Sequence, residues 1–365
     1  VNTASTNHET NLDVVRALAV LMVVGSHLCW YFGDFRYRFI ELALLGKLGV
    51  VIFFVHSGIV NMLSIERHVG KNGDKALFRA FMTRRCFRIY PLAMVVVAVI
   101  YFSHIPVGHI DQWTTTVGKN PRAELLPSLL LVQNYFRFDQ LLGPLWSLPY
   151  EIQIYCLFPV IYLALRRFQS ARVLVFAWAL LAGIDHVLAP RLLHYGHLGN
   201  IVIPDMLYFF LLFLPGLYAY QEMKTSRRML PFWILPVLLG TVCVLWLFSY
   251  ENVKAMYASF SLGLALPYIR SCGTESLNRV SGWVAKYSYG IYLLHDPAIW
   301  LGFDRLRHFP LVFRIAAFVV VTLGGSVAAY HLVEFPMIKI GNKLSVAIAR
   351  GPRPTVKVQA AAASA

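Results

Sequence analysis

Charge is scarce in this sequence. Asp, Glu, Lys and Arg make up 14% of the 365 residues, where an ordinary soluble domain carries about 25%. Acids are scarcer than bases, 18 against 33, which leaves a net charge of +15. Cysteine pairs are missing too. Cys29, Cys86, Cys156, Cys243 and Cys272 are scattered with no CxxC, which argues against a zinc ribbon or a disulfide framework. Cys29 follows His27 by two residues, about 200° around a helix, so the two face apart and make a poor ligand pair. The cysteines read as small hydrophobes, and no metal is expected. The N-terminal "VNTASTNHETNLD" lacks the basic start and small-residue cleavage site of a signal peptide, so the first apolar run reads as a retained anchor. No internal repeat is present, and no soluble domain fits between the apolar runs.

What is abundant is apolar surface. The chain is 58% hydrophobic with a mean hydropathy of +0.59, above the about 45–50% of soluble domains. Crossing a bilayer core takes about 20 mostly apolar residues. Ten segments qualify, three of them short: 14–32, 42–63, 89–103, 147–165, 172–190, 201–220, 230–249, 255–270, 287–303 and 311–333. The expected fold is an all-α polytopic membrane bundle of about ten transmembrane helices. A pI near 9.7 would suggest nucleic acid for a soluble protein. Here basic loops at a membrane face explain it, so the partner is the lipid bilayer and not nucleic acid.

The cations also set the orientation. One set of alternate connections holds Arg67 to Arg88, Arg166 to Arg172, Lys224 to Arg228, Arg270 to Lys286, and Lys339 onward. The positive-inside rule places this richer set, and both termini, in the cytoplasm. Residues 104–146 then face outward, where "AELLPSLLLVQN" is too short to span and reads as a re-entrant or interfacial helix. The stretch 346–365, with its Pro- and Ala-biased "GPRPTVKVQAAAASA", reads as a disordered tail after a transmembrane domain covering 11–345.

Ionisable groups inside lipid are costly and usually face a bundle interior or a water-filled cavity. "RALAVLMVVGSH" places Arg16 and His27 eleven residues apart. That spacing returns to within about 20° on a helix, so they share a face about 16 Å apart along the axis. Structurally, Arg16 has a simple partner in Asp13 one turn earlier, and a lone histidine is most often a hydrogen-bonded packing residue. Other polar groups interrupt the second apolar segment (His56, Ser57, Asn61), the fourth (Ser147, Glu151, Gln153, Tyr155) and the ninth (Tyr287, Ser288, Tyr292, His295, Asp296). Four helices that each bring polar groups suggest one shared cavity. "RRCFRIYP" places Arg84, Arg85 and Arg88 just before the third apolar segment. Such a cluster serves either as a topology signal beside lipid headgroups or as a phosphate site.

Together these stretches resemble the acyltransferase-3 family, integral-membrane O-acyltransferases that decorate bacterial surface glycans and some secreted small molecules. "LDVVRALAVLMVVGSH" is similar to the family's arginine–ten residues–histidine motif. "FFVHSG", "RRCFRIYP", "LWSLPYEIQIY", "YSYGIYLLH" and "VEFP" resemble its later landmarks, in order, across residues 11–345. The resemblance implies that Arg16 and His27 are the essential pair and that Arg84, Arg85 and Arg88 bind acyl-coenzyme A. Glu151 and His295 match motif positions whose roles stay open. His56 departs from the pattern, standing where the family has an apolar residue, and Ile152 replaces a frequent second acid. The chain looks like the stand-alone form without a fused esterase-like domain, so a separate extracytoplasmic transferase or esterase-like protein is a candidate partner.

The implied reaction moves an acyl group, acetyl in the first instance, from acetyl-CoA or another acyl-CoA to a hydroxyl of a glycan or lipid-linked sugar at the bacterial inner membrane. No cofactor is held permanently. His27 is the candidate base, Arg16 lines the donor channel or stabilises negative charge, and Glu151 assists. Asp13, His56, Ser57, Ser147, Tyr155 and His295 complete the candidate polar cavity. A covalent acyl-enzyme relay remains an alternative mechanism. A transporter or flippase is the rival from another class, since it too carries mid-membrane ionisable groups.

Overall fold

The computed structural model describes residues 3–33, 36–37, 40–74, 76–105, 121–136, 141–167, 170–195, 197–198, 201–202, 206–226, 229–248 and 251–350. Helices α1 (Thr3–Tyr31), α2 (Leu45–Asn72) and α3 (Leu77–Ser103) come first, followed by the short α4 (Pro121–Leu130). Next are α5 (Leu148–Tyr155), α6 (Phe158–Arg167), α7 (Arg172–Tyr195), α8 (Met206–Glu222), α9 (Ile234–Phe248) and α10 (Glu251–Ala265). The chain ends in α11 (Glu275–Ile299) and a 40-residue helix, α12 (Leu311–Arg350). The strands among the described residues are four of two residues each, paired as two minimal hairpins.

Each of the ten apolar segments is helical over most of its described residues. Among the described residues, four helices are long and apolar enough to cross a membrane by themselves: Thr10–Tyr31, Leu42–Asn72, Leu77–Ser103 and Leu311–Arg350. A fifth span counts if α5 and α6, bent by 43° at their junction, act as one. The protein is thus a multi-pass membrane helix bundle. Several helices extend beyond their apolar segments. α3 begins twelve residues before position 89, so "RRCFRIYP" lies inside the helix instead of ahead of it, with Pro91 tolerated in its interior. α12 continues through Arg350, so residues 346–350 are helical, and the rest of the expected tail lies outside the described residues. "AELLPSLLLVQN" forms α4 and the turn after it, with Leu130 O accepting from Tyr90 Oη at 3.0 Å.

α2 is the central post. Ile52, Phe54, Ile59, Met62 and Ile65 are fully buried, which marks a helix enclosed by its neighbours. α1 packs against α2 and α11, α8 against α2, α7 and α10, and α3 against α12. α12 shows the opposite pattern: Val312, Phe313, Val320 and Leu332 are exposed, as a lipid-facing helix requires. α2 ends at Gly73, whose φ of 71° suits a residue without Cβ and whose N–H caps Val69 O at 2.8 Å.

One end of the bundle gathers the connections grouped together by their cations. Arg166 Nη1 meets Asp74 Oδ1 at 2.6 Å, and Lys224 Nζ meets Glu66 Oε1 at 3.1 Å. Asn11 Nδ2 donates to Arg270 O at 3.0 Å, while Leu230 bridges to Ile269. At the other end Trp246 Nε1 donates to Leu44 O at 3.0 Å. The α1–α2 contact depends on Gly49, where an added Cβ would lie 2.6 Å from Ala19 O. Gly49→Val is expected to cost about 1–3 kcal/mol of stability, read as a lower thermal midpoint in detergent.

Candidate active site

Three helices converge on Arg16. Its Nε donates to Ser288 Oγ of α11 at 2.6 Å, and its guanidinium lies over the Phe53 ring of α2, 5.6 Å from the centroid. Ser288 can accept because its own hydroxyl proton goes to Ala285 O at 2.9 Å. The arginine therefore reaches across the bundle to α11, while the Asp13 carboxylate lies beside Gly282 near the start of that helix.

α2 contributes Phe53, His56, Ser57 and Asn61, spaced to share one helix face. Ser57 Oγ donates to Glu151 Oε1 at 3.0 Å and contacts Tyr155 Oη at 2.7 Å. Tyr155 Oη also donates to the same carboxylate oxygen, one turn along α5. Asn61 Nδ2 donates to Ser57 O at 2.8 Å and to Ser57 Oγ at 3.1 Å. Glu151 is buried as an acceptor for two hydroxyls, and the charges of Arg16, Arg85 and Arg88 act on it. Within this network Asn61 Oδ1 has no hydrogen-bond partner among the described residues.

Arg16, His56, Ser57, Arg85, Arg88 and Glu151 border a cationic space of about 480 Å³. Arg85 is buried, with its guanidinium 5.2 Å from the Phe81 centroid and 5.9 Å from that of Tyr155. Arg85 Nε and His56 Nδ1 have no hydrogen-bond partner among the described residues. Buried polar atoms in native proteins are normally satisfied, so these two are positioned for a ligand or water. Arg84 points elsewhere. Its Nη1 donates to His68 Nδ1 at 2.6 Å and to Ser345 Oγ at 2.7 Å, which ties α3 to α2 and α12.

A second space of about 440 Å³ adjoins the first and shares Phe53, Glu151 and Tyr289 with it. Its lining is mostly apolar, from Ala19, Val20, Val23, Val50 and Leu148, with Ser147 and Ser288 as polar spots. Ser147 Oγ pairs with Tyr292 Oη at 2.8 Å, and that tyrosine donates to Pro144 O at 2.6 Å. Beyond Val23, one turn on, lies His27. Its Nδ1 is 2.9 Å from Val23 O and 3.1 Å from His295 Nε2, which is 3.4 Å from Asp296 Oδ1. The donor atoms of these three side chains lie within 4.8 Å of one another, a spacing that a metal ion could also use.

A family described as an acyltransferase domain matches residues 9–331. The chain belongs to the acyltransferase-3 family. A peptidoglycan O-acetyltransferase, OatA, from Listeria monocytogenes is 26% identical over 385 residues, covering 92% of this chain and 57% of the relative. Acyltransferase MdmB from Streptomyces mycarofaciens is 30% identical over 185 residues, covering 48% of this chain and 43% of the relative. The chain thus spans about half the length of the curated relatives it matches. No solved structure matches it.

The residues singled out in the sequence do not all meet at one point. Arg16, His56, Ser57, Glu151, Tyr155, Arg85 and Arg88 share the cationic cavity, while Ser147 lines the apolar one. His27 and His295 pair beyond both, and Asp13 and Arg84 border neither. Sequence reasoning assigned no site role to Phe53 or Tyr289, which form the wall between the cavities and look like ordinary core aromatics in sequence. It also assigned none to Glu334. That acid ends the widened helical turn Tyr330–Glu334, is buried with Oε1 unpartnered among the described residues, and is acted on by the charges of Arg88 and Arg16. An acid within an apolar run was the available signal.

Proposed function

We propose that the protein is a membrane O-acyltransferase that carries an acyl group, acetyl in the first instance, from acyl-CoA to a hydroxyl of a cell-surface or exported glycan. The observation that carries this reading is the junction of two unlike cavities. A space with Arg16, Arg85, Arg88 and unpartnered donors suits phosphate, and the adjoining apolar space suits a pantetheine arm and thioester. The Listeria relative, named for acetylation of peptidoglycan, supports a glycan acceptor.

The chemistry follows from the positions of the side chains. Arg85 and Arg88 hold donor phosphates, with no permanent cofactor, and Arg16 stabilises negative charge. Val23 O only accepts hydrogen bonds, so His27 carries its proton on Nδ1 and presents Nε2 as the base. The acceptor oxygen attacks the thioester carbonyl as Nε2 takes its proton. The C–S bond then breaks, and the coenzyme A thiolate leaves and recovers that proton. Glu151 keeps the cationic cavity ordered through Ser57 and Tyr155.

In this reading ten helices span the bacterial inner membrane with both termini in the cytoplasm. Supporting it, the basic connections meet at one end of the bundle, through Arg166–Asp74 and Lys224–Glu66. Cysteine placed at Lys224 in a background lacking native cysteines is then expected to resist a membrane-impermeant thiol reagent on intact cells. Cysteine at Gln140 is expected to label, and the reverse pattern would invert the topology.

The deciding experiment uses the purified chain in lipid vesicles with acetyl-CoA and solubilised muropeptides. Release of free coenzyme A thiol together with acetylated muropeptide is the expected result. Acceptor movement across the vesicle membrane without thioester consumption would favour a transporter and sink the proposal.

A further inference from the structure

His295 and Asp296 border neither cavity, and the step above does not use them. Yet His295 is fully buried, with its Nε2 directed at His27. Burying a second imidazole against the first is costly unless its hydrogen bonds are satisfied. Two backbone carbonyls allow the protons to be assigned, because a carbonyl oxygen only accepts. His295 Nδ1 lies 3.2 Å from Ile291 O, so that nitrogen carries a proton. His27 Nδ1 does likewise against Val23 O. In the neutral pair the His295 Nε2 lone pair therefore faces the His27 Nδ1 proton at 3.1 Å. If that proton crosses, His295 becomes a cation whose new Nε2–H lies 3.4 Å from Asp296 Oδ1. In the first state both carbonyls are satisfied. In the second the His27 Nδ1 lone pair accepts from His295 Nε2–H but faces Val23 O, which keeps the Ser26 hydroxyl as a donor at 2.9 Å, so the shifted proton is held only transiently and returns.

We propose that His295 and Asp296 form a proton relay behind His27, with both acting as positioning residues for the base. The proposal rests on the reading of His27 as general base. In the forward step the acceptor O–H breaks and His27 Nε2–H forms. His27 Nδ1–H breaks and His295 Nε2–H forms, leaving His27 neutral and the positive charge on His295 beside the Asp296 carboxylate. When the thiolate takes the proton from His27 Nε2, His295 returns its own proton to His27 Nδ1, and the cycle closes with no net change in the protein.

The surroundings suit this role. Asp296 and His27 are the ionisable groups whose charges act on His295. On α11 the Tyr292 ring is 6.2 Å from that of His295, and its hydroxyl is engaged by Ser147 and Pro144. On α1 the Trp30 ring is 6.4 Å from that of His27. From α12, Arg314 directs its Nη2 to Phe303 O at 3.1 Å.

The test compares wild type with His27→Ala, His295→Gln, Asp296→Asn and Asp296→Glu as full chains in lipid vesicles. Acetyl-CoA and solubilised muropeptides are the substrates, and acetyl-CoA binding is the folding control. Asp296→Asn and His295→Gln should each lower kcat about tenfold or more while KM for acetyl-CoA stays within about twofold, since neither borders the donor cavities. The carboxylate favours a charged relay. Removing it should therefore move the acid limb of the rate profile to lower pH by about one unit, and Asp296→Glu should restore the limb. A structural role alone would lower kcat without moving the limb, and that result overturns the relay. So does a stoichiometric metal ion in the purified protein whose chelation abolishes activity and whose return restores it. If His27→Ala stays active, the base reading itself fails. If His27→Ala is inactive while His295→Gln and Asp296→Asn behave as wild type, only the relay fails.

Discussion

His27→Ala is expected to lower acyl transfer by about 10²–10⁴-fold while the protein still inserts and accumulates normally. The side chain lies one turn past Val23, which lines the apolar cavity, and its Nδ1 faces the Val23 carbonyl at 2.9 Å. Removing it takes away the basic nitrogen but leaves Val23 O in a helix that continues to Tyr31. His27→Gln provides the control for packing, because it keeps most of the volume and polarity without an imidazole base. Both variants should be inactive at every pH, with acetyl-CoA binding unchanged. Activity within a few-fold of wild type in either one would reduce His27 to a packing residue.

The second large effect concerns the donor. Arg85→Ala and Arg88→Ala should each weaken acetyl-CoA binding by about 10–10²-fold, the loss of charge-assisted hydrogen bonds of about 1.5–3 kcal/mol. Arg84→Ala should behave differently although it is adjacent in sequence. Its hydrogen bonds go to His68 and Ser345, so the expected loss is thermal stability, with donor affinity kept within about threefold. Isothermal titration of the three variants with acetyl-CoA, alongside thermal midpoints, separates these roles. Equal loss of affinity in all three would mean that the arginines act as a diffuse field and not as a site. Arg85→Lys is a further control, since Arg85 lies over Phe81 and Tyr155 and a lysine cannot present the same plane.

Much of the bundle was legible because its signals are local. Apolar length located the helical segments, and the alternation of cations grouped the connections that meet at Asp74–Arg166 and Glu66–Lys224. Helical phase put Arg16 and His27 on one face from spacing alone. Partners across helices could not be read in this way. Asp13, one turn from Arg16, is among the acids whose charge acts on it, but the hydrogen bond from Arg16 to Ser288, 272 residues away, has no sequence signal. Nor could composition divide "RRCFRIYP" between two directions, because that depends on where α3 begins and on what packs around it. Phe53 and Tyr289 left no trace for a different reason. An aromatic in a cavity wall and an aromatic in a core are the same residue until the space beside it is known.

The paired cavities bear on the energetics of the cell as much as on catalysis. Any protein that brings a cytoplasmic metabolite to a reaction near the opposite face risks opening a path for protons and ions. Between the arginines and His27, the walls of the second cavity are built from Ala19, Val20, Val23, Val50 and Leu148, with Phe53 and Tyr289 at its entrance. Apolar walls of this kind disfavour a continuous thread of water. In the proposed reading the acyl chain that crosses there is itself apolar and does not need water along its path. The lining proposed to receive the acyl group would then also act as electrical insulation, with the membrane potential held across it between turnovers.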